Sequence, residues 1–312
     1  MITTHIIVQN DAHTIVPALQ SVISLGPILI GDIGSNDGTI QLCRQFQAEI
    51  YRLPAKKARN TLLEKSSNDW NFFIHPWEVL AYGQKEILSK STGSSFYIQI
   101  FQNDSISKEI RLWNKKIINK FHNPVFESLL DPQAGFLEES CLYSKPHSID
   151  SDQLLTEIEH WKKNQSTLPE PYYYQAMLLL NQGKFKEFLA SVDNYLFRKQ
   201  TGVATVILKY YAAQVYMHFN DFPKSVRHLI GCIAVRPLMA EYWCLLGDIY
   251  YKTNDYKKAL AFYENAIVLG RRRASLDEWP VEISKYKEYP EKMIASCKSM
   301  LEDSKDYAIS LG

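Results

Sequence analysis

A repeat of 34 residues in the second half of the chain limits the folds that this sequence can adopt. When the segment that begins at Tyr242 is moved back by 34 positions, small residues fall on small ones and aromatic residues on aromatic ones. Gly247 then falls on Ala213, and Tyr250 falls on Tyr216. A period of this length indicates stacked helix pairs, because one pair cannot bury its own apolar face.

Further positions repeat with the same shift. They are Ala259 with Ser225, Ala266 with Cys232, and residues 254–256 with residues 220–222. A weaker third copy begins near Tyr173, where Ala176 aligns with Ala213 at an offset of 37. We expect the extra residues to lie between copies, around 199–202. The small positions predict that the two helices of each pair approach closely.

The best copy also fits a known pattern, W-x2-L-G-x2-Y, with Trp243, Leu246, Gly247 and Tyr250. This pattern resembles the tetratricopeptide family. The resemblance implies an all-α repeat domain over residues 146–312, clearest over 172–270, with helices before Lys163 and after Glu291 closing its ends. It also implies a groove that binds a protein or peptide partner. An unrelated amphipathic helical bundle is the alternative.

The composition limits the class of protein. The chain has 312 residues, of which 46% are apolar and 22% charged, so we expect about two folded domains. A net charge of +1 gives no general attraction to nucleic acid or anionic lipid. The five cysteines are scattered without a C-x-x-C pair, which favours a reducing compartment. With no signal peptide or apolar run of membrane length, we expect a cytoplasmic protein without a transmembrane segment.

The first half alternates short apolar runs with helical stretches. The strand-like runs are 5–8, 28–32, 50–52, 71–74 and 96–101, and the helix-like stretches are 14–24, 39–47, 57–66 and 79–90. Such alternation predicts an α/β domain, over residues 1–145, with a parallel sheet covered by helices. Ligands of these sheets bind at the carboxyl ends of the strands.

Several short motifs follow these strands in order. They are Val8–Asp11 (VQND), Asp32–Asp37 (DIGSND), Ala58–Asn60 (ARN), Glu78–Leu80 (EVL), Arg111–Trp113 (RLW) and Val125–Glu127 (VFE). Together they resemble the inverting family-2 glycosyltransferases of GT-A fold, a Rossmann-like α/β architecture. The resemblance covers roughly residues 3–130, and the domain is shorter than a full GT-A fold.

The resemblance assigns roles to individual residues. Asp11, Asp32 and Asp37 would bind the nucleoside of a UDP- or GDP-sugar donor. Arg59 would face the donor diphosphate or orient an acid; a solvated surface cation is the alternative. Glu127 would be the general base that deprotonates the acceptor, with an ordinary surface glutamate as the alternative.

Two departures weaken that assignment. The family holds a divalent cation, Mg²⁺ or Mn²⁺, with a D-x-D motif, where this chain has His75, Pro76 and Trp77. Trp77 cannot bind a metal, so the residues do not support a hard-metal site. Glu78 survives from the motif, with a place at the start of a helix as its simpler explanation. Phe126 stands where the family has a histidine.

Three hypotheses follow. The chain is a glycosyltransferase whose acceptor docks on the repeats. Alternatively, it is a catalytically degenerate transferase that works as a nucleotide-binding or protein-binding scaffold. The third is an adaptor with an unrelated α/β domain. The sequence does not identify the donor sugar or the acceptor.

Overall fold

The structure is a computed structural model, and it describes residues 1–147, 151–199, 201–273 and 280–310. The chain divides into two compact units, residues 1–149 and residues 150–312. Among the residues described, no helix is long and apolar enough to cross a membrane.

The first unit is a sheet with short helices. Its strands are β1 (Thr3–Val8), β2 (Ile28–Asp32), β3 (Glu49–Arg52), β4 (Trp70–Phe73), β5 (Glu78–Tyr82), β6 (Ser95–Gln102), β7 (Ser105–Asn114) and β8 (Gly135–Ser144). Its helices are α1 (Ile15–Val22), α2 (Thr39–Gln45), α3 (Ala58–Lys65) and α4 (Gln84–Ser89). The strands are ordered β3-β2-β1-β4-β7-β6-β8-β5.

The sheet is mixed, whereas the sequence predicted a parallel one. Strands β3, β2, β1 and β4 are parallel, but β7 pairs antiparallel with both β4 and β6. The reason is local: a tight turn at Asn103, whose φ is 51°, joins β6 directly to β7. A connection this short can only join antiparallel strands.

The predicted helix over residues 79–90 is also wrong in its first half. Residues 78–82 form β5, which pairs antiparallel with β8, and only residues 84–89 are helical. Gly83, with φ of 95°, separates the two elements. The strand forms because β8 supplies a backbone partner far along the chain, which no local pattern reveals.

The core of this unit lies between the sheet and its helices. Ile6 on β1 and Ile30 on β2 are fully buried, as are Ile15, Leu19 and Val22 along one face of α1. The apolar face of α1 has the spacing of a helix packed on a sheet. This packing fixes the loops that follow β1 and β2 at one edge of the sheet.

The second unit consists of helices. They are α5 (Ser151–Asn164), α6 (Glu170–Asn181), α7 (Phe185–Arg198), α8 (Val203–His218), α9 (Phe222–Val235), α10 (Ala240–Lys252), α11 (Tyr256–Gly270) and α12 (Glu288–Ser310). A two-residue strand, β9 (Val281–Glu282), and a 3₁₀ turn (Ile283–Tyr286) precede α12. Helices α6/α7, α8/α9 and α10/α11 form three antiparallel pairs, and α5 and α12 pack at the ends.

The turn between the helices of each pair repeats in its backbone conformation. Gly183, Asn220 and Asn254 all have a left-handed φ, of 68°, 58° and 61°. Asp221 and Asp255 follow the two asparagines and cap α9 and α11 by accepting backbone N–H groups. The aligned sequence positions therefore have the same structural role in each copy.

A close approach between helices explains the small residue at the centre of the last copy. A Cβ added to Gly247 on α10 would lie 2.6–2.8 Å from three ring atoms of Tyr263 on α11. Ala213 occupies the matching position in the preceding pair and is fully buried. The small residues that define the repeat therefore set the distance between paired helices.

Candidate functional site

Two acids lie at the carboxyl ends of β1 and β2. Asp32 ends β2, is buried, and accepts the backbone N–H groups of Gly34 (3.1 Å) and Ser35 (2.7 Å). Burial alone would raise the pKa of Asp32, but these bonds, the Ser35 hydroxyl and the nearby Arg52 guanidinium hold it below its usual value. Asp32 is therefore an ionised carboxylate whose first role is to shape its own turn.

Asp11 and Asp37 are joined through Thr39. The Thr39 hydroxyl donates to the Asp37 carboxylate over 2.5 Å and accepts the backbone N–H of Asp11 over 2.8 Å. Asp11 itself is buried, and burial raises its pKa although the Gln9 N–H and His147 act in the opposite direction. The structure thus brings the loops after β1 and β2 together, with three acids at one edge of the sheet.

Arg59 and Glu127 form a second group. Glu127 accepts the backbone N–H of Arg59 at 3.3 Å, and Arg59 Nη1 donates to the Glu127 carbonyl at 2.6 Å. The Arg59 guanidinium lies 4.0 Å from the ring centroid of Phe73. Burial, reinforced by the nearby Arg111 charge, lowers the pKa of Arg59 to about 10. The interpretation of Arg59 as a solvated surface cation is therefore wrong.

Glu78 is held in a buried ion pair. Its Oε1 accepts Arg111 Nη2 at 2.8 Å, and its Oε2 accepts the backbone N–H of His75 at 2.9 Å. The exposed fractions of the two side chains are 3% for Glu78 and 2% for Arg111. Glu78 also begins a strand, so its explanation as the first residue of a helix is wrong.

Three aromatic rings stack beside this ion pair. The ring of Trp77 lies 3.7 Å from that of His147, at an interplanar angle of 5°, and 4.5 Å from that of His75. Burial, with the positive charges of Arg111 and Arg59, keeps the pKa of His75 well below its usual value. His75 is therefore neutral, and burial also lowers the pKa of His147, which in its protonated form lowers the pKa of Asp11. The stack lies between the group around Arg59 and the acid at Asp11.

These residues do not fit the divalent cation of the glycosyltransferase family. Trp77 offers no ligand atom, since its indole nitrogen only donates, and both carboxylate oxygens of Glu78 already have partners within the chain. Within the described ranges, no group of three or more His, Cys, Asp or Glu side chains has a metal-binding arrangement.

An open cavity of about 500 Å³ is lined by Glu127. Its walls include Lys56, Lys57 and Lys120 as well as Asn60. Two hydrogen bonds join the Asn60 side chain to the backbone of Phe121. Asn60 accepts the Phe121 N–H (2.7 Å) and donates to the Phe121 carbonyl (3.0 Å), so these two lining residues are held together. Burial raises the pKa of Glu127, which is the direction expected of a general base at neutral pH.

The helical unit contains a further buried acid that sequence reasoning missed. Glu241 on α10 is 2% exposed, and its partners are Arg273, the Glu282 N–H and the Tyr286 hydroxyl. The available signal was a charged residue in the first turn of a helix that is rich in apolar residues. Reasoning from the sequence also missed His147 and the role of Arg111 as the partner of Glu78.

Residues 240–271 match the tetratricopeptide repeat family model. Similar solved structures include the MamA RS-1 ArsTM double mutant (17% identity, 52% of this chain, 86% of that chain, TM-score 0.39). They also include MamA 41-end from Desulfovibrio magneticus RS-1, with 17% identity over 51% of this chain and 86% of that chain and a TM-score of 0.39. A crystal structure of MamA has 16% identity over 51% of this chain and 92% of that chain, with a TM-score of 0.37. No curated protein matches the sequence.

Proposed function

We propose that this protein is a scaffold that binds a protein partner through its tetratricopeptide array. Its first unit would then be a degenerate glycosyltransferase-like domain that no longer performs metal-dependent sugar transfer. The observation that carries the proposal is the ion pair of Glu78 with Arg111. In this ion pair, Glu78, the one acid that remains at the metal motif, is bound by an arginine of the same chain.

Support for the transferase ancestry comes from the first unit alone. Four parallel strands in the order β3-β2-β1-β4 carry Asp11 and Asp32 at their carboxyl ends. Open sheets of this kind bind nucleotides at that edge, where the strand order reverses. A retained nucleotide site of GT-A type is therefore compatible with the scaffold proposal, and we expect any binding of UDP or GDP to be independent of Mn²⁺.

Support for a protein partner comes from the helix pairs. Residues 240–271 match the repeat family, and two further pairs of the same design precede them. Stacked pairs of this kind form extended concave surfaces, which suit protein segments better than small molecules. The first helices of successive pairs, α6, α8 and α10, contact one another and form one continuous layer.

The proposal is tested by an assay for release of UDP or GDP from their sugar conjugates, with and without Mn²⁺. We expect no release above the uncatalysed rate under either condition. Release that requires Mn²⁺ would contradict the proposal, because it would need a metal site that the residues do not form.

A second experiment locates the partner on the molecule. Once a partner has been identified, hydrogen exchange of the full chain is compared with and without it. We expect slower exchange in α6, α8 and α10. Protection confined to residues 1–147 would show that the repeats are not the binding surface.

An active glycosyltransferase is the second candidate, and one specific observation favours it. Glu127 is half-buried with a raised pKa, lines an open cavity, and lies against the cation of Arg59. If this candidate is right, sugar-nucleotide hydrolysis occurs without metal and is lost in Glu127→Gln. Glu64→Gln, a change to an acid on the wall of the same cavity, is the matched control and should retain the activity.

A further inference from the structure

Residues 281–286, which precede α12, lie along the first helices of two successive pairs. The Tyr210 hydroxyl, on α8, donates to the Glu282 carboxylate over 2.7 Å. The backbone N–H of Glu282 donates to Glu241 Oε1, on α10, over 2.9 Å. One residue of this segment is therefore bound by side chains from two different repeats.

A second anchor follows four residues later. The Tyr286 hydroxyl donates to Glu241 Oε2 over 2.8 Å, and its ring packs against buried Ala240 and Cys244. The Cys244 thiol lies 3.5 Å from the Lys285 carbonyl oxygen. Residues 281–286 thus make side-chain, backbone and apolar contacts with α10, as a bound peptide does.

The helices beneath this segment belong to the layer formed by the first helix of each pair. Helix α8 contacts both α6 and α10, whereas α9 and α11 stand as the second helices of their own pairs. In a solenoid, the layer in which like helices contact one another is a continuous surface able to bind an extended chain. The segment therefore covers part of the surface that a partner would use.

The buried carboxylate of Glu241 needs hydrogen-bond donors, and the segment supplies them. Its carboxylate is 2% exposed, and its partners are the Glu282 N–H, the Tyr286 hydroxyl and, at 3.8 Å, Arg273. Two of these three belong to the segment. A buried carboxylate that loses its hydrogen bonds is strongly disfavoured, so a departing segment must be replaced by groups of the same kind or by water.

We propose that residues 281–286 are an internal ligand of the tetratricopeptide surface, and that a partner peptide of like chemistry binds there by displacing them. The matching peptide is extended and carries an acid that meets Tyr210. Four residues later it carries a tyrosine that donates to Glu241. This inference rests on the proposed scaffold function, since it names the partner class and the regulation of that same surface.

Tethering favours the internal segment. Residues 281–286 are joined at both ends to the unit that binds them, so their effective concentration is on the order of millimolar. A free peptide with the same contacts therefore competes poorly with the wild-type chain. Weakening the two anchors of the segment leaves the surface intact and removes this competition.

The test uses a fluorescent peptide of residues 280–287 and the full chain. Its binding is measured by anisotropy for the wild type and for the double variant Glu282→Ala/Tyr286→Ala. We expect binding to the double variant to be at least about tenfold tighter than to the wild type. Ile283→Ala, which changes a side chain that is 43% exposed within the same segment, is the control and should behave like the wild type.

A third change tests the site itself. Tyr210→Phe, added to the double variant, removes the hydroxyl that meets the peptide acid and should weaken binding by about tenfold. Tyr216, on the same helix, stacks on His228 instead. We therefore expect Tyr216→Phe to leave the affinity for the peptide unchanged. Circular dichroism of each variant checks whether its helices are kept. If the double variant is unfolded, Glu282→Gln takes its place, with an expected gain of about threefold.

Equal binding to the wild type and to a folded displaced variant would overturn the inference, as would an unchanged affinity in Tyr210→Phe. If a protein partner binds the repeats equally well in both backgrounds, the scaffold function stands and the internal ligand is wrong. If partner protection falls outside the repeats, the scaffold function itself is wrong.

Discussion

Each unit contains a buried glutamate near an arginine, and the two glutamates differ in where their partners lie in the chain. Glu78 lies 2.8 Å from Arg111, and Glu241 lies 3.8 Å from Arg273. The partners of Glu78 come from the sheet unit's own strand β7 and from the residues leading into β5. Two partners of Glu241 come instead from residues outside the helix pairs. The first acid is therefore part of a core, and the second is covered by a segment that can leave.

The largest expected effect comes from breaking the first ion pair. Glu78→Gln removes the charge that compensates Arg111, whose side chain is 2% exposed. An uncompensated buried charge costs about 3–5 kcal/mol, so we expect the first unit to lose that much free energy of unfolding. Hydrogen exchange of the β1 amides measures this unit separately from the helical unit.

The matched control for this change is Glu109→Gln. Glu109 also contacts Arg111, at 3.1 Å, but its side chain is 58% exposed. Because solvent screens such a pair, we expect a loss well below about 1 kcal/mol. Similar losses for the two variants would mean that Glu78 is as hydrated as Glu109 and available to a ligand.

A smaller effect is expected from overpacking the last helix pair. Gly247→Ala adds a methyl group that would lie under 3.0 Å from the ring of Tyr263. Such overpacking costs about 1–3 kcal/mol, which hydrogen exchange of α10 would report. Gly231→Ala, whose nearest neighbour would be 3.6 Å away, should instead stabilise α9 by up to about 1 kcal/mol. A neutral Gly247→Ala would contradict the close approach of α10 and α11.

A buried histidine on β1 makes the stability of the first unit depend on pH. Burial lowers the pKa of His5 to about 4, although His5 Nε2 donates a hydrogen bond to Asn71 Oδ1 at 2.8 Å. Between pH 6.5 and 4 the unfolded chain binds a proton that the folded chain does not, so stability falls as the pH falls. We expect a loss of about 2 kcal/mol between pH 7.5 and 5.

The variant His5→Gln tests this assignment. Its side chain can still hydrogen bond to Asn71 but does not titrate, so the loss on acidification should shrink by about 2 kcal/mol relative to the wild type. An identical pH dependence in the two proteins would assign the effect to other groups of the sheet unit.

Sequence patterns predicted the features that depend on local spacing. The recurrence of Gly247 and Ala213 predicted paired helices in close contact, and the motif around Trp243 predicted the repeat family that residues 240–271 match. Asp11 was predicted to follow a strand and Asp32 to end one, and the structure confirms both positions. Their donor-binding role stays a prediction.

Contacts between residues that are far apart in the sequence could not be predicted from such patterns. The pairing of β5 with β8 replaced the predicted helix because the backbone partner lies some 60 residues away. The stack of Trp77 on His147 and the contact of Glu241 with Tyr286 have the same origin. In each case the decisive partner is set by the tertiary structure, and no residue nearby in the sequence signals it.

Hydrogen exchange of the unmodified full chain tests the central contrast most directly. We expect the amides of Glu78–Tyr82 to exchange only when their unit unfolds. We expect residues 281–286 to exchange at least about a hundredfold faster than the α10 amides beneath them, because the segment leaves without unfolding the helices. Equal protection of residues 281–286 and α10 would instead mean that the segment is a fixed part of the core.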